Sequence, residues 1–152
     1  MAACSGRGDT SGARSAPGSD STASAAGRDV VIETRVQLPA EPPGRDEATA
    51  TGEVLPGSSI GGSPFCPSGT FSDRHGNQEI GLADRTFTCA DGTLRIGFTP
   101  GVPEGRSQSG PWAVISGTGV FERLQGSGHV TIEYEDTSLT QGHETFTGTV
   151  TP

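Results

Sequence analysis

The sequence predicts an all-β fold, an antiparallel β-barrel of about eight short strands behind a disordered amino-terminal tether, with a β-sandwich as the alternative. Three observations lead there. Gly and Pro supply 24 and 11 of the 152 residues, about twice their ordinary combined share of roughly 12%, which interrupts the chain too often for a helix bundle. The apolar residues recur with period two instead of 3.6. Turn signals at regular spacing (Pro42-Pro43-Gly44, Gly61-Gly62, Asp91-Gly92, Thr99-Pro100-Gly101) divide the alternating segments from one another.

Residues 1–28 form the first unit. From Ser5 to Gly27 there is no Val, Ile, Leu, Met or aromatic residue, so ordering this stretch would cost more entropy than its burial could offset. A chain this rich in Gly, Ser and Ala spans on average roughly 25–30 Å. The residues ahead of it, Met1-Ala2-Ala3-Cys4, resemble the end of a bacterial lipoprotein processing site, in which small residues precede a Cys that takes a lipid. That resemblance implies lipidation at Cys4, with the charged and apolar parts of a signal peptide lying upstream of Met1. Lipid on Cys4 would hold the domain outside the cytoplasm at the membrane surface. Arg7-Gly8-Asp9 is a tripeptide that recurs by chance in tails of this composition.

Residues 29–152 form the second unit, the barrel domain. In Val30–Leu38 the apolar residues Val30, Ile32, Val36 and Leu38 share one parity, while Glu33, Arg35 and Gln37 face the other way. Thr93–Thr99 repeats the scheme with Leu94, Ile96 and Phe98 inward, and His129–Glu135 does so with Val130, Ile132 and Tyr134. Thr145–Thr151 ends the series with an outer face made only of Thr. One buried and one solvated face per strand is the mark of antiparallel sheet. Further strands are expected at Ala50–Leu55, Pro64–Asp73, Glu79–Ala90 and Pro111–Ser116. Asp91-Gly92 suits a two-residue hairpin turn. Helix is expected only as a single turn within Val120–Leu124.

With Cys4 lipidated, Cys66 and Cys89 remain as a pair, each on an expected strand, and outside the cytoplasm they are expected to form a disulfide. A zinc site with His75 is the competing use. It is disfavoured because no second Cys lies two to four residues from either.

The densest motif is Gly110–His129. Gly117 and Gly119 suit one sharp bend and Gly126 and Gly128 a second, with Phe121 and Leu124 spaced to plug a barrel end. The same glycines do not make a phosphate loop, since no Lys follows and no long helix begins there. Gly-Thr-Gly-x-Phe-x-x-Leu-x-Gly-x-Gly, followed by an alternating strand, resembles the allene oxide cyclase-like and dirigent-like barrel superfamily, in the style of small secreted barrels of high-GC bacteria. The resemblance implies an eight-stranded antiparallel barrel, often trimeric, whose lumen holds a small apolar ligand. It carries over no catalytic residue.

Several functions are excluded by charge and composition. The net charge is −8 and all ten basic residues are Arg, three of them within 1–28. The acidic remainder has no basic cluster for nucleic acid or anionic lipid. No apolar run approaches the roughly 20 residues of a membrane-spanning helix. His129, His143, Glu133, Glu135 and Asp136 gather around one expected hairpin and could in principle exchange protons or hold a metal. Their shared solvated parity argues for a plain outer face, and neither metal nor cofactor is expected. Trp112, Tyr134 and Phe98 are the candidates to line a ligand pocket. The expectation is a non-catalytic envelope domain that binds a small apolar molecule or an envelope partner. The alternatives are an isomerase or cyclase acting in the lumen and a purely structural surface protein.

Overall fold

The computed structural model describes residues 27–152; residues 1–26 of the expected tether, with Cys4 and Arg7-Gly8-Asp9, fall outside them, and Arg28 already belongs to the first strand. Ten strands follow one another: β1 (Arg28–Gln37), β2 (Ala50–Val54), β3 (Ser59–Ile60), β4 (Ser63–Pro64), β5 (Thr70–Asn77), β6 (Gly81–Cys89), β7 (Gly92–Phe98), β8 (Ser107–Gly117), β9 (Gln125–Tyr134) and β10 (Gln141–Thr151). Among the described residues the only helical element is a 3-10 turn at Gly119–Phe121.

Every pairing is antiparallel, in the order β10-β9-β8-β7-β6-β5-β2-β1, and β1 returns to β10 to close an eight-stranded barrel. The closing seam runs the full length of both strands, from Arg28 opposite Val150 to Gln37 opposite Gln141. This settles the choice between barrel and sandwich. β3 and β4 form a small hairpin in addition to the eight long strands, filling the wall below β2. It pairs with β1 at Val30 and Val31, below the stretch that β2 occupies at Thr34–Gln37.

Period-two alternation makes the lumen. Val30, Ile32 and Val36 from β1, Phe71 from β5, Phe87 from β6, Leu94 and Ile96 from β7 and Val130 and Ile132 from β9 all point inward and are buried. Phe146 of β10 is central, with Phe98 at 5.6 Å, Trp112 at 6.3 Å and Phe87 at 6.3 Å, each edge to face. Edge-to-face contact sets the positive ring edge against a negative face.

Several expected boundaries move. The strand expected over Pro64–Asp73 is broken into β4 and β5, with Cys66 in the intervening turn at φ 51°; Pro67, which lacks an N–H, cannot donate to a ladder. Gly126 and Gly128 do not form a second bend. They lie within β9, where a Cβ on Gly128 would come within 1.9 Å of the Thr147 carbonyl oxygen. The glycine is needed because two strands approach closely there.

Candidate functional site

Alternation also carries polar residues into the lumen. Asp73 lies two residues after Phe71, Arg85 two before Phe87, Glu144 two before Phe146, and Thr34 between Ile32 and Val36. All four are buried, Arg85 completely. Arg85 Nε and Nη2 donate to the two oxygens of Asp73 at 2.6 and 2.9 Å, a fork on a fork. Nη1 and Nη2 donate to Glu144 at 2.6 and 3.2 Å, and the Thr34 hydroxyl donates to Glu144 Oε1 at 2.5 Å. The guanidinium lies 3.6 Å from the centroid of the Phe71 ring, with Phe98 and Phe146 at 5.0 and 5.4 Å. Four strands, β1, β5, β6 and β10, are thus tied at one level of the barrel.

The cluster sets one cation against two carboxylates. Burial alone would make the guanidinium easier to deprotonate, but Glu144 and Asp73 outweigh that and hold its pKa above the ordinary value. The Asp73 pKa is raised as well, which for a carboxyl favours the neutral form. Its burial raises its pKa, the Arg85 charge and hydrogen bonds only partly offset this, and Glu144 adds to the rise. A single guanidinium cannot fully compensate two acids in a low-dielectric interior. Nearby, the Tyr134 hydroxyl donates to Gln108 Oε1 at 2.7 Å. Burial first, then the charge of Glu144, pushes its pKa up against the pull of Arg85.

Trp112, Tyr134 and Phe98, the residues expected to line a pocket, are all buried and in contact with other core groups. The Trp112 indole N–H donates to the Thr147 carbonyl at 3.0 Å, reaching past Gly128, its own cross-strand partner, to the strand beyond. Below this polar level the lumen keeps a void of about 10 Å³ lined by residues such as Ile32, Ile96, Trp112 and Phe146. A void of that size is at the lower limit for one water and far from the ~300 Å³ at which ligand pockets begin.

The two ends differ. At the lower end, where β1 begins, Gly117 and Gly119 shape the turn that seats Phe121 and Leu124, both buried, across the opening. Gly119 has φ 60°, and a Cβ on Gly117 would lie 2.3 Å from the Phe121 carbonyl oxygen. Cys66 and Cys89 are joined by a disulfide across 23 positions, which fastens the turn after β4 to the end of β6. Both sulfurs are consumed, and His75 lies at the far rim, so the zinc alternative has no ligand set. At the upper end a hollow of about 390 Å³ lies between the segments 38–43 and 138–140, with Leu38, Pro42, Leu139 and His75 in its lining.

His129, His143, Glu133, Glu135 and Asp136 are all exposed on the outside of the barrel. His143 Nε2 is 3.1 Å from Glu33, Glu133 accepts from Ser107, and Asp136 accepts from Ser138 within its own loop. Those bonds from Ser138 hold the Asp136 carboxyl below its ordinary pKa. Among the described residues no group of three or more His, Cys, Asp or Glu is placed to hold a metal. Compared with models of known protein families, with curated proteins and with solved structures, the chain matches none.

Proposed function

We propose that this chain is a non-catalytic barrel module of the cell envelope that engages an envelope partner through its rim and outer wall. In this reading lipid on Cys4 anchors it, a signal peptide precedes Met1, and the amino-terminal stretch serves as the tether. The packed lumen carries the proposal. Arg85, Asp73, Glu144, Thr34, Tyr134 and Gln108 satisfy one another, aromatic and aliphatic side chains fill the rest, and recognition is left to the exterior. The Cys66–Cys89 disulfide favours an oxidising compartment. The resemblance to allene oxide cyclase-like and dirigent-like barrels, with the trimer it implies, belongs to the same proposal, and a closed eight-stranded antiparallel barrel suits it. Isomerase chemistry draws no such support, since a substrate would have to displace core side chains.

Native mass spectrometry of protein extracted from its host tests the proposal. The expected species is the polypeptide with one disulfide and lipid at Cys4, and no non-covalent small molecule. A retained apolar molecule would overturn the exterior reading and bring the lumen reactions back. Genomic sequence upstream of Met1 tests the anchor separately, and the absence of an in-frame apolar segment there would sink it.

A further inference from the structure

The lower part of the barrel wall is not made of long strands. β2 meets β5 only over Ala50–Glu53, β5 starts at Thr70, and the wall beneath them is completed by the two-residue strands β3 and β4 and by the turn Phe65–Gly69. That turn closes on itself through the Gly69 N–H, which donates to the Cys66 carbonyl at 2.9 Å, and is joined to its surroundings by two backbone hydrogen bonds and the disulfide. Phe65 N–H donates to the Ser58 carbonyl at 2.8 Å and Val54 N–H to the Gly69 carbonyl at 2.9 Å, and the Cys66–Cys89 bond ties it to β6. Cys66 and Ser68, at φ 51° and 60°, are two of the three non-glycine residues with positive φ among the described residues. Side chains rarely adopt that conformation without an outside constraint.

Phe65 is the buried side chain this turn delivers. Its ring meets Phe87 inside the lumen at 5.3 Å and Phe121 of the lower plug at 5.6 Å. On its other side lies a hollow of about 190 Å³ whose lining mixes Ile60, Phe65 and Leu124 with Arg28, Ser63 and Asp91. Phe65 therefore separates an outer hollow of mixed polarity from the apolar core of the barrel.

We propose that the disulfide is a latch on Phe65, and that its reduction by a dithiol opens an apolar site at the lower end for a small ring-bearing molecule. Cys89 is the more exposed of the two cysteines, Cys66 being 2% exposed. A dithiol thiolate attacks the Cys89 sulfur and the Cys66 thiolate leaves and takes up a proton. The second thiolate of the reductant then displaces Cys89, which is protonated in turn, so two electrons and two protons enter the protein and the dithiol becomes a disulfide. Freed, the turn leaves its left-handed backbone, Phe65 swings out, and the outer hollow joins the space it vacated. The opening is independent of what the outer wall recognises.

Titration with the apolar dye 1-anilinonaphthalene-8-sulfonate tests this in four proteins: oxidised wild type, dithiothreitol-reduced wild type, the Cys66→Ser/Cys89→Ser double variant and oxidised Phe65→Ala. The emission of Trp112 reports whether the barrel core stays intact, and hydrogen exchange follows residues 59–69. Oxidised wild type is expected to leave the dye dark. The other three are expected to bind it saturably, one per chain, with at least a tenfold rise in dye emission and unchanged Trp112 emission. Exchange in the reduced protein is expected to accelerate at 65–69 and not in β9 or β10. Dye binding that appears only together with loss of the Trp112 signal would overturn the latch, because the disulfide would then hold the whole barrel. So would a reduced protein as dark as the oxidised one, or a folded Phe65→Ala that binds no dye.

Discussion

The guanidinium of Arg85 stacks on the ring of Phe71, 3.6 Å from its centroid, while the same guanidinium forks onto the side chain two residues further along that strand, Asp73. The ring covers one face of the cation and the carboxylates hold its edge. Neither Lys nor an apolar residue could do both, since only a planar fork stacks and binds bidentately.

Arg85→Met is therefore expected to lower the unfolding free energy by about 3–5 kcal/mol, the usual consequence of leaving buried acids without their cation. Urea denaturation would measure it. The triple change Arg85→Met, Asp73→Leu, Glu144→Leu should recover much of that loss, and a triple variant no more stable than Arg85→Met would show that the cluster contributes more than charge balance.

The pH dependence has a definite sign. The Asp73 pKa is raised in the folded state above the ordinary 3.8. Between the two values the folded protein binds the proton that the unfolded chain has released, so stability rises as the pH falls through the folded pKa and levels off below the unfolded one. The melting temperature of wild type minus that of Asp73→Asn, followed from pH 7 downward, should rise accordingly, because Asn has no proton to take up. A wild type that loses stability relative to Asp73→Asn on acidification would contradict the assignment.

Gly128 faces the Thr147 carbonyl so closely that a methyl group cannot fit without moving one strand, and the Trp112 indole reaches past it to that same carbonyl. Gly128→Ala is expected to cost about 1–3 kcal/mol by overpacking and to shift the emission of Trp112, the single tryptophan in the chain. An unchanged spectrum would mean that the indole is held by something other than this contact.

Phe121 closes the lower end from the 3-10 turn and packs on Phe65. Truncating it to Ala should destabilise the fold by about 3–5 kcal/mol, as for other buried aromatic side chains. Val120, its neighbour in the same turn, is 65% exposed, and Val120→Ala should leave stability nearly unchanged. Equal effects at the two positions would show that the turn, and not the ring, closes the barrel.

Much of this was legible in the alternation. Val30, Ile32, Leu94, Ile96, Val130 and Ile132 lie on the inner face that period two assigns them, and a one-residue slip would have turned each of them outward. The same rule places Thr34, Asp73, Arg85 and Glu144 inward, yet polarity argues the opposite for each residue taken singly. Only their mutual pairing across four strands makes burial tolerable, and strand order is a long-range property that no local window contains. The parity of His129, Glu133 and Glu135 places them on the solvated face, and they are exposed there together with Asp136 and His143. The strand role of Gly126 and Gly128 was hidden because a glycine looks alike whether it turns the chain or lets another strand come near, whereas the break at Cys66 was marked by Pro67.

The seam between β1 and β10 also dictates how the protein must be assembled. Thr34 and Glu144, directly opposed and bonded across this seam, are 110 positions apart, and the whole length of β1 on that side waits for β10. Closing so long a loop is entropically costly before any contact rewards it, and folds dominated by such pairings form slowly. Until β10 emerges, β1 presents an unpaired edge open to any neighbouring strand. The first of the described strands thus depends for its protection on the last of them, and loss of the eleven-residue β10 would leave an open, association-prone sheet in place of a smaller barrel.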